Sequence, residues 1–86
     1  MKELEKQLKA LANRRRLGII KFLKYTKEAP VTDIAENIRL SVRSTSKHIS
    51  ILAAQDVLER DQRGLLVYYR LAESQQPLIG KIISQI

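Results

Sequence analysis

Two short runs near the carboxyl end constrain this chain more than any other feature. Val57-Leu58-Glu59-Arg60-Asp61 and Leu65-Leu66-Val67-Tyr68-Tyr69-Arg70-Leu71 alternate β-branched, aliphatic and aromatic residues with polar ones, the pattern of strands with one covered face. Gln62-Arg63-Gly64 between them can make a tight hairpin, with Gly64 where φ must be positive. A hairpin this small is not stable alone, so it must lie against helices. The residues before it supply them.

The richest of those helices is predicted from Ser41 to Leu52, S-V-R-S-T-S-K-H-I-S-I-L. At about 100° per residue Thr45, Ile49 and Leu52 share one side, with Val42 and Ala53 beside them. Arg43, Lys47 and Ser50 form the opposite stripe, with Ser46 close by. An ordinary exposed face mixes Glu with Lys to gain i, i+4 pairs. Here no carboxylate occurs from Asn37 through Gln55. Short hydroxyls between long cations suit a surface that meets phosphates and base edges.

The preceding segments complete a pattern. Lys2 to Ala12 carries Leu4, Leu8 and Leu11 on one stripe, either packing on its own domain or forming a dimer arm. Asn13 is an N-cap for a helix from about Arg14 to Tyr25, with Leu17, Ile20, Phe22 and Leu23 as the expected centre of the core. Arg14, Arg15 and Arg16 crowd the positive end of that helix dipole, at a local cost of a few tenths of a kcal/mol each. Two are expected to be solvated and one to make an internal contact. Lys27-Glu28-Ala29-Pro30 is a break. A short helix from Val31 or Thr32 through Asn37, the Arg39-Leu40-Ser41 turn and the basic helix then make a helix-turn-helix. The hairpin after it is a wing, with Arg60 and Arg63 near its tip as candidate phosphate contacts. One of the two tyrosines should face in and the other out.

The last segment opens with Pro77, tolerated in a first helical turn. Leu78, Ile79, Ile82, Ile83 and Ile86 follow, more aliphatic surface than one short helix should leave in water. With the leucine stripe of the first helix they suggest a homodimer interface of Leu4, Leu8, Leu11, Leu78, Ile79, Ile82, Ile83 and Ile86. The expected fold is therefore mainly α with a small two-stranded β-hairpin (α+β), a winged helix-turn-helix of order α-α-α-α-β-β-α. Residues 1–86 form one domain: helix-turn-helix about 31–54, wing about 57–71, and terminal dimerisation helices about 2–12 and 77–86.

Composition narrows the function. Sixteen Lys/Arg against nine Asp/Glu leave a net charge of +7, which favours a polyanionic partner. Few aromatics argue against stacking on single strands. One His, no Cys, no glycine-rich phosphate loop and no clustered carboxylates leave little with which to build catalysis, so no enzyme, metal or cofactor is expected. The charged start is unlike a signal peptide and no apolar run approaches a membrane span; a cytoplasmic protein without membrane contact is expected.

The whole pattern resembles the arsenic-repressor (ArsR) family of winged helix-turn-helix regulators. Leu8 to Asn13 with Arg16-Leu17 and Ile20 resembles that family's opening. Asp33-Ile34-Ala35 and Leu40-Ser41 resemble its first DNA-proximal helix and turn. Ser46-Lys47-His48-Ile49-Ser50-Ile51-Leu52 resembles its recognition helix, and Gly64 with Val67 to Leu71 its wing. The resemblance implies a symmetric dimer on a palindromic double-stranded operator, its recognition helices roughly 34–36 Å apart in successive major grooves. Arg43, Ser44, Ser46, Lys47 and Ser50 would then face the groove, while Ser41, Arg60 and Arg63 would position the backbone. The family's metal-sensing Cys, His and acidic ligands have no counterparts here, so the expected function is a homodimeric repressor acting by operator occlusion, without metal response. A small-molecule effector cannot be read from the residues. His48 is expected to be packed or phosphate-bonded rather than a metal ligand. Arg39 and Asp56 stand where the family has Gly at helix ends. The alternative function is a winged helix for protein contacts or non-specific, architectural nucleic-acid binding.

Overall fold

Most elements of the chain can be traced to a local signal. The computed structural model describes residues 1–86, with α1 Lys2–Leu11, α2 Arg14–Thr26, β1 Ala29–Pro30, α3 Val31–Ile38, α4 Val42–Ala54, β2 Leu58–Arg63, β3 Leu66–Leu71 and α5 Pro77–Gln85. Asn13 caps α2: its Oδ1 accepts from the backbone N–H of Arg15 at 2.9 Å and Arg16 at 3.1 Å. Ser41 caps α4 by accepting from Ser44 N–H at 3.1 Å. Pro77 opens α5, where its missing N–H leaves no bond unmade.

The sheet is three-stranded and antiparallel, in the order β1-β3-β2. The break at residues 29–30 thus does more than end a helix. Ala29 pairs with Tyr69 and Pro30 with Tyr68, which fastens the hairpin to the chain between α2 and α3. Proline is tolerated because β1 is an edge strand. The hairpin turn is also tighter than expected: β2 runs on to Arg63, which pairs with Leu66, so only Gly64 and Leu65 form the loop. Gly64 has φ +63°, which fits a two-residue loop.

The core joins every helix to the hairpin: Leu11 from α1, Ile19, Ile20 and Leu23 from α2, Ile34 from α3, Ile49 and Leu52 from α4, Leu58 from β2, and Ile79 and Ile83 from α5. Each such side chain contributes roughly 1.5–3 kcal/mol on full burial. The centre of α2 is Ile19, Ile20 and Leu23; Phe22 is only partly buried and Leu17 lies at the rim. Helix α2 packs against α1, α3, α4 and β3, so its buried residues do not form a single stripe. Val42, expected beside the buried face of α4, is the first residue of that helix and is 45% exposed.

Three non-glycine residues have positive φ: Lys27, Arg39 and Asp56. Arg39 and Asp56 close α3 and α4 in the same way. Leu40 N–H donates to Ala35 O at 3.0 Å and Arg39 N–H to Glu36 O at 3.3 Å; Val57 N–H donates to Leu52 O at 3.1 Å and Asp56 N–H to Ala53 O at 3.0 Å. These are Schellman closures, which ordinarily recruit glycine. The two departures from Gly therefore keep the helix ends and place side chains there, at a cost of about 1 kcal/mol each.

The terminal helices divide their apolar residues. Leu11, Ile79 and Ile83 are 4%, 0% and 7% exposed, so these three expected interface residues belong to the core of their own chain. Packing of the ends of α1 and α5 against the rest of the domain consumes them. Leu4 and Leu8 stay exposed, and Leu78, Ile82 and Ile86 are half-buried. No helix is long and apolar enough to cross a membrane.

Candidate nucleic-acid interface

Helix α4 separates its faces as its periodicity requires. Thr45, Ile49 and Leu52 are buried, while Arg43, Ser46, Lys47 and Ser50 are exposed together on the other side. Ser41 is exposed at the start of the helix and Ser44 is half-buried on the flank. The four salt bridges of the chain all involve Arg63 or Arg70, so Arg43 and Lys47 have no carboxylate partner. The cations of α4 are free to meet an external anion.

The back of this helix is tied down by Arg16. Its guanidinium donates to Ala10 O at 2.6 Å, to Lys9 O at 3.1 Å and to His48 Nδ1 at 3.1 Å. One side chain thus joins the last turn of α1, the first turn of α2 and the middle of α4. Guanidinium only donates, so His48 Nδ1 accepts and the ring proton sits on Nε2. Burial first, then the charges of Arg16 and Arg15, hold His48 below its ordinary value of 6.5. His48 is a packed, neutral histidine. Arg15 makes a second clamp, donating to the carbonyls of Ile38 and Arg39 at the end of α3. Of the three consecutive arginines, two are therefore internal, against the expectation of one, and only Arg14 is solvated. The free carbonyls at the ends of α1 and α3 explain the difference, since each lacks an intrahelical donor.

The wing has the opposite character. Arg63 forms a two-pronged contact with Glu28 at 2.6 and 2.7 Å, reaches Asp61 at 2.9 Å, and lies 4.5 Å over the Tyr68 ring. Arg70 bonds Glu59 at 2.7 Å and Asp61 at 3.5 Å. The Arg63 hydrogen bond is the main cause that lowers the Glu28 carboxyl from its ordinary value, and the same pairing raises Arg63. The sequence pattern assigns Arg63 to a phosphate; in the structure two carboxylates already occupy its donors. The Arg60 side chain is exposed and makes neither a hydrogen bond nor a salt bridge. The cross-strand register that pairs Glu59 with Arg70 is implicit in the alternation. Glu28 is not, because it arrives from β1's side of the sheet. Tyr69 packs on the core and Tyr68 lies under Arg63, as alternation requires.

No protein-family model and no curated protein matches the sequence. Solved structures do. NolR from Sinorhizobium fredii is 28% identical, with a TM-score of 0.84 over 98% of this chain and 80% of that one. The transcriptional repressor PagR of Bacillus anthracis is 28% identical, with a TM-score of 0.79 over 98% and 92%. Mb0332 from Mycobacterium bovis is 26% identical, with a TM-score of 0.82 over 98% and 74%; it is a homodimeric winged helix-turn-helix DNA-binding domain of a possible ArsR-family transcriptional regulator.

Proposed function

We propose that this chain, a winged helix-turn-helix protein of the ArsR type, is a sequence-specific double-stranded DNA-binding regulator of transcription. It is not an enzyme; its structural neighbours are transcriptional regulators. The observation that carries the reading is the carboxylate-free outer face of α4, where Arg43, Ser46, Lys47 and Ser50 project from a helix locked behind by Thr45, Ile49 and Leu52. In this reading α4 lies in the major groove with Ser41 and Ser44 at its N-terminal end, and Arg60 alone of the two tip arginines reaches the backbone. The protein acts as a homodimeric repressor by covering a palindromic operator, through a mechanism that uses no metal. The dimer is built from the exposed Leu4 and Leu8 of α1 with Leu78, Ile82 and Ile86 of α5, residues that the core leaves partly or wholly uncovered.

Selection of bound sequences from random duplex DNA at two salt concentrations tests the first part. A palindromic motif with half-sites one helical turn apart is expected. Uniform recovery with a steep salt slope would replace the operator reading with architectural binding. Leu8→Asp tests the second part: the variant should sediment as a folded monomer where the wild type is a dimer. A wild-type monomer at micromolar concentration removes the dimer.

A further inference from the structure

A cleft lined by Arg14, Arg15, Gly18, Asn37, Ile38 and Arg39 opens between the start of α2 and the end of α3. No carboxylate lines it. Arg15 lines it and is spent on the carbonyls of Ile38 and Arg39. Arg14 and Arg39 are exposed at its mouth and neither has an acidic partner.

Both of these arginines stand where local physics disfavours them. Arg14 is the first residue of α2, at the positive end of the helix dipole. Arg39 has φ 57° and ψ 53°, the left-handed conformation that glycine adopts without strain. Neither contributes a side-chain hydrogen bond to the fold. Arg39 also lies two residues before Ser41, the cap of α4, which puts it in the turn that leads into the N-terminal end of that helix. We infer that Arg14 and Arg39 form a phosphate clamp outside the recognition helix, gripping the duplex backbone that borders the major groove entered by α4. The inference rests on the proposed DNA-binding reading and extends it to a surface that neither α4 nor the wing supplies. The clamp adds affinity and fixes the angle of α4; it carries no sequence information.

The test compares the wild type, Arg14→Ala, Arg39→Gly and, as a control, Lys21→Ala, an exposed cation two turns further along α2. Affinity for the selected duplex is measured over a range of chloride concentrations, with thermal midpoints in parallel. Arg14→Ala and Arg39→Gly should each flatten the slope of log K against log salt by about 0.9 for every phosphate no longer neutralised, twice that for a dimer. Their thermal midpoints should hold or rise, because each removes a locally unfavourable residue; loss of affinity through misfolding is thereby distinguished. The sequence motif should not change. Unchanged slopes in both variants, or an equal flattening in Lys21→Ala, would overturn the clamp while leaving DNA binding by α4 intact. A wild type that binds no duplex would overturn the functional reading and the clamp together. A thermal midpoint raised by inorganic phosphate at constant ionic strength, with slopes unchanged in the variants, would make the cleft a small-anion site instead.

Discussion

The recognition helix and the wing carry similar numbers of cations and use them in opposite ways. On α4, Arg43 and Lys47 make no salt bridge, and the helix is held by apolar burial and by Arg16 from behind. On the wing, Arg63 and Arg70 are paired with Glu28, Glu59 and Asp61, contacts that link β2 to β3 and to the residue before β1. Formal charge is therefore a poor guide to which surface meets a polyanion; the charge left unpaired within the fold is a better one. By that measure the proposed interface comprises α4 and the helix-turn-helix, with Arg60 as the wing's unpaired cation.

The contrast fails first if α4 is not the reading surface. Arg43→Ala and Lys47→Ala should each weaken operator binding by about 1–3 kcal/mol where the side chain reads a base edge. Competition binding against the selected operator and a scrambled duplex measures this. If one of them loses affinity equally for both duplexes, that residue contacts phosphate only. If neither variant loses affinity, the interface is elsewhere.

A smaller effect separates the two faces of α4 itself. Thr45 is fully buried and its Oγ1 has no hydrogen-bond partner. A buried hydroxyl without a partner costs about 1 kcal/mol or more, so Thr45→Val should stabilise the fold by about 1 kcal/mol. For a domain of this size that is a rise of roughly 4–8 °C in the thermal midpoint. Operator affinity should stay the same, because the change is on the packed side. A fall in the midpoint would mean that the hydroxyl has a partner after all.

These residues also show what periodicity can reveal. The buried stripe Thr45, Ile49 and Leu52 and the exposed stripe Arg43, Lys47 and Ser50 follow from the 100° step alone, and the structure keeps them. The same rule applied to α2 misjudges Phe22 and Leu17, since a helix packed on several sides has no single apolar stripe. The clamps by Arg15 and Arg16 are invisible to pattern, because Arg15 reaches the carbonyls of Ile38 and Arg39, and Arg16 the ring of His48 32 residues away. The pairing of Arg63 is hidden for a related reason: its partner Glu28 is 35 residues away, and the register of β1 with β3 brings them together. Local signals locate the elements and their faces. Long-range polar pairing decides which charges are left free.

Acid should weaken the contacts of the two regions in order. The folded value of His48 lies below 6.5, so the unfolded chain takes up that proton first. The contribution of neutral His48 is fully present above about pH 6.5 and is lost as pH falls from there through the folded value. Glu28 is also depressed, so its contribution is present above about pH 4.5 and is lost as pH falls through its folded value. Thermal midpoints at pH 7.5 and 5.5 should therefore differ in the wild type and differ less in His48→Gln, which keeps an acceptor for Arg16 without a titrating ring. Glu28→Gln should leave that interval unchanged and alter only the drop below pH 4.5. Equal slopes in all three proteins between pH 7.5 and 5.5 would remove His48 from the account.

The sharpest test of the contrast is also the smallest effect. Arg63→Ala deletes a wing cation at a position where the sequence alone suggests a phosphate contact. With Glu28 and Asp61 already on its donors and Tyr68 beneath it, Arg63 should contribute nothing to DNA affinity, and the salt slope of binding should not change. Arg60→Ala, three residues away, should flatten that slope by at most about 0.9 per site. The Arg63 variant should instead show a slightly lower thermal midpoint, with the difference from wild type narrowing at high salt as exposed ion pairs are screened. If Arg63→Ala flattens the slope as much as Arg60→Ala, the guanidinium must leave Glu28 when DNA arrives. The wing would then hold its charge in reserve, and the division between a free helix and a neutralised wing would apply only to the unbound protein.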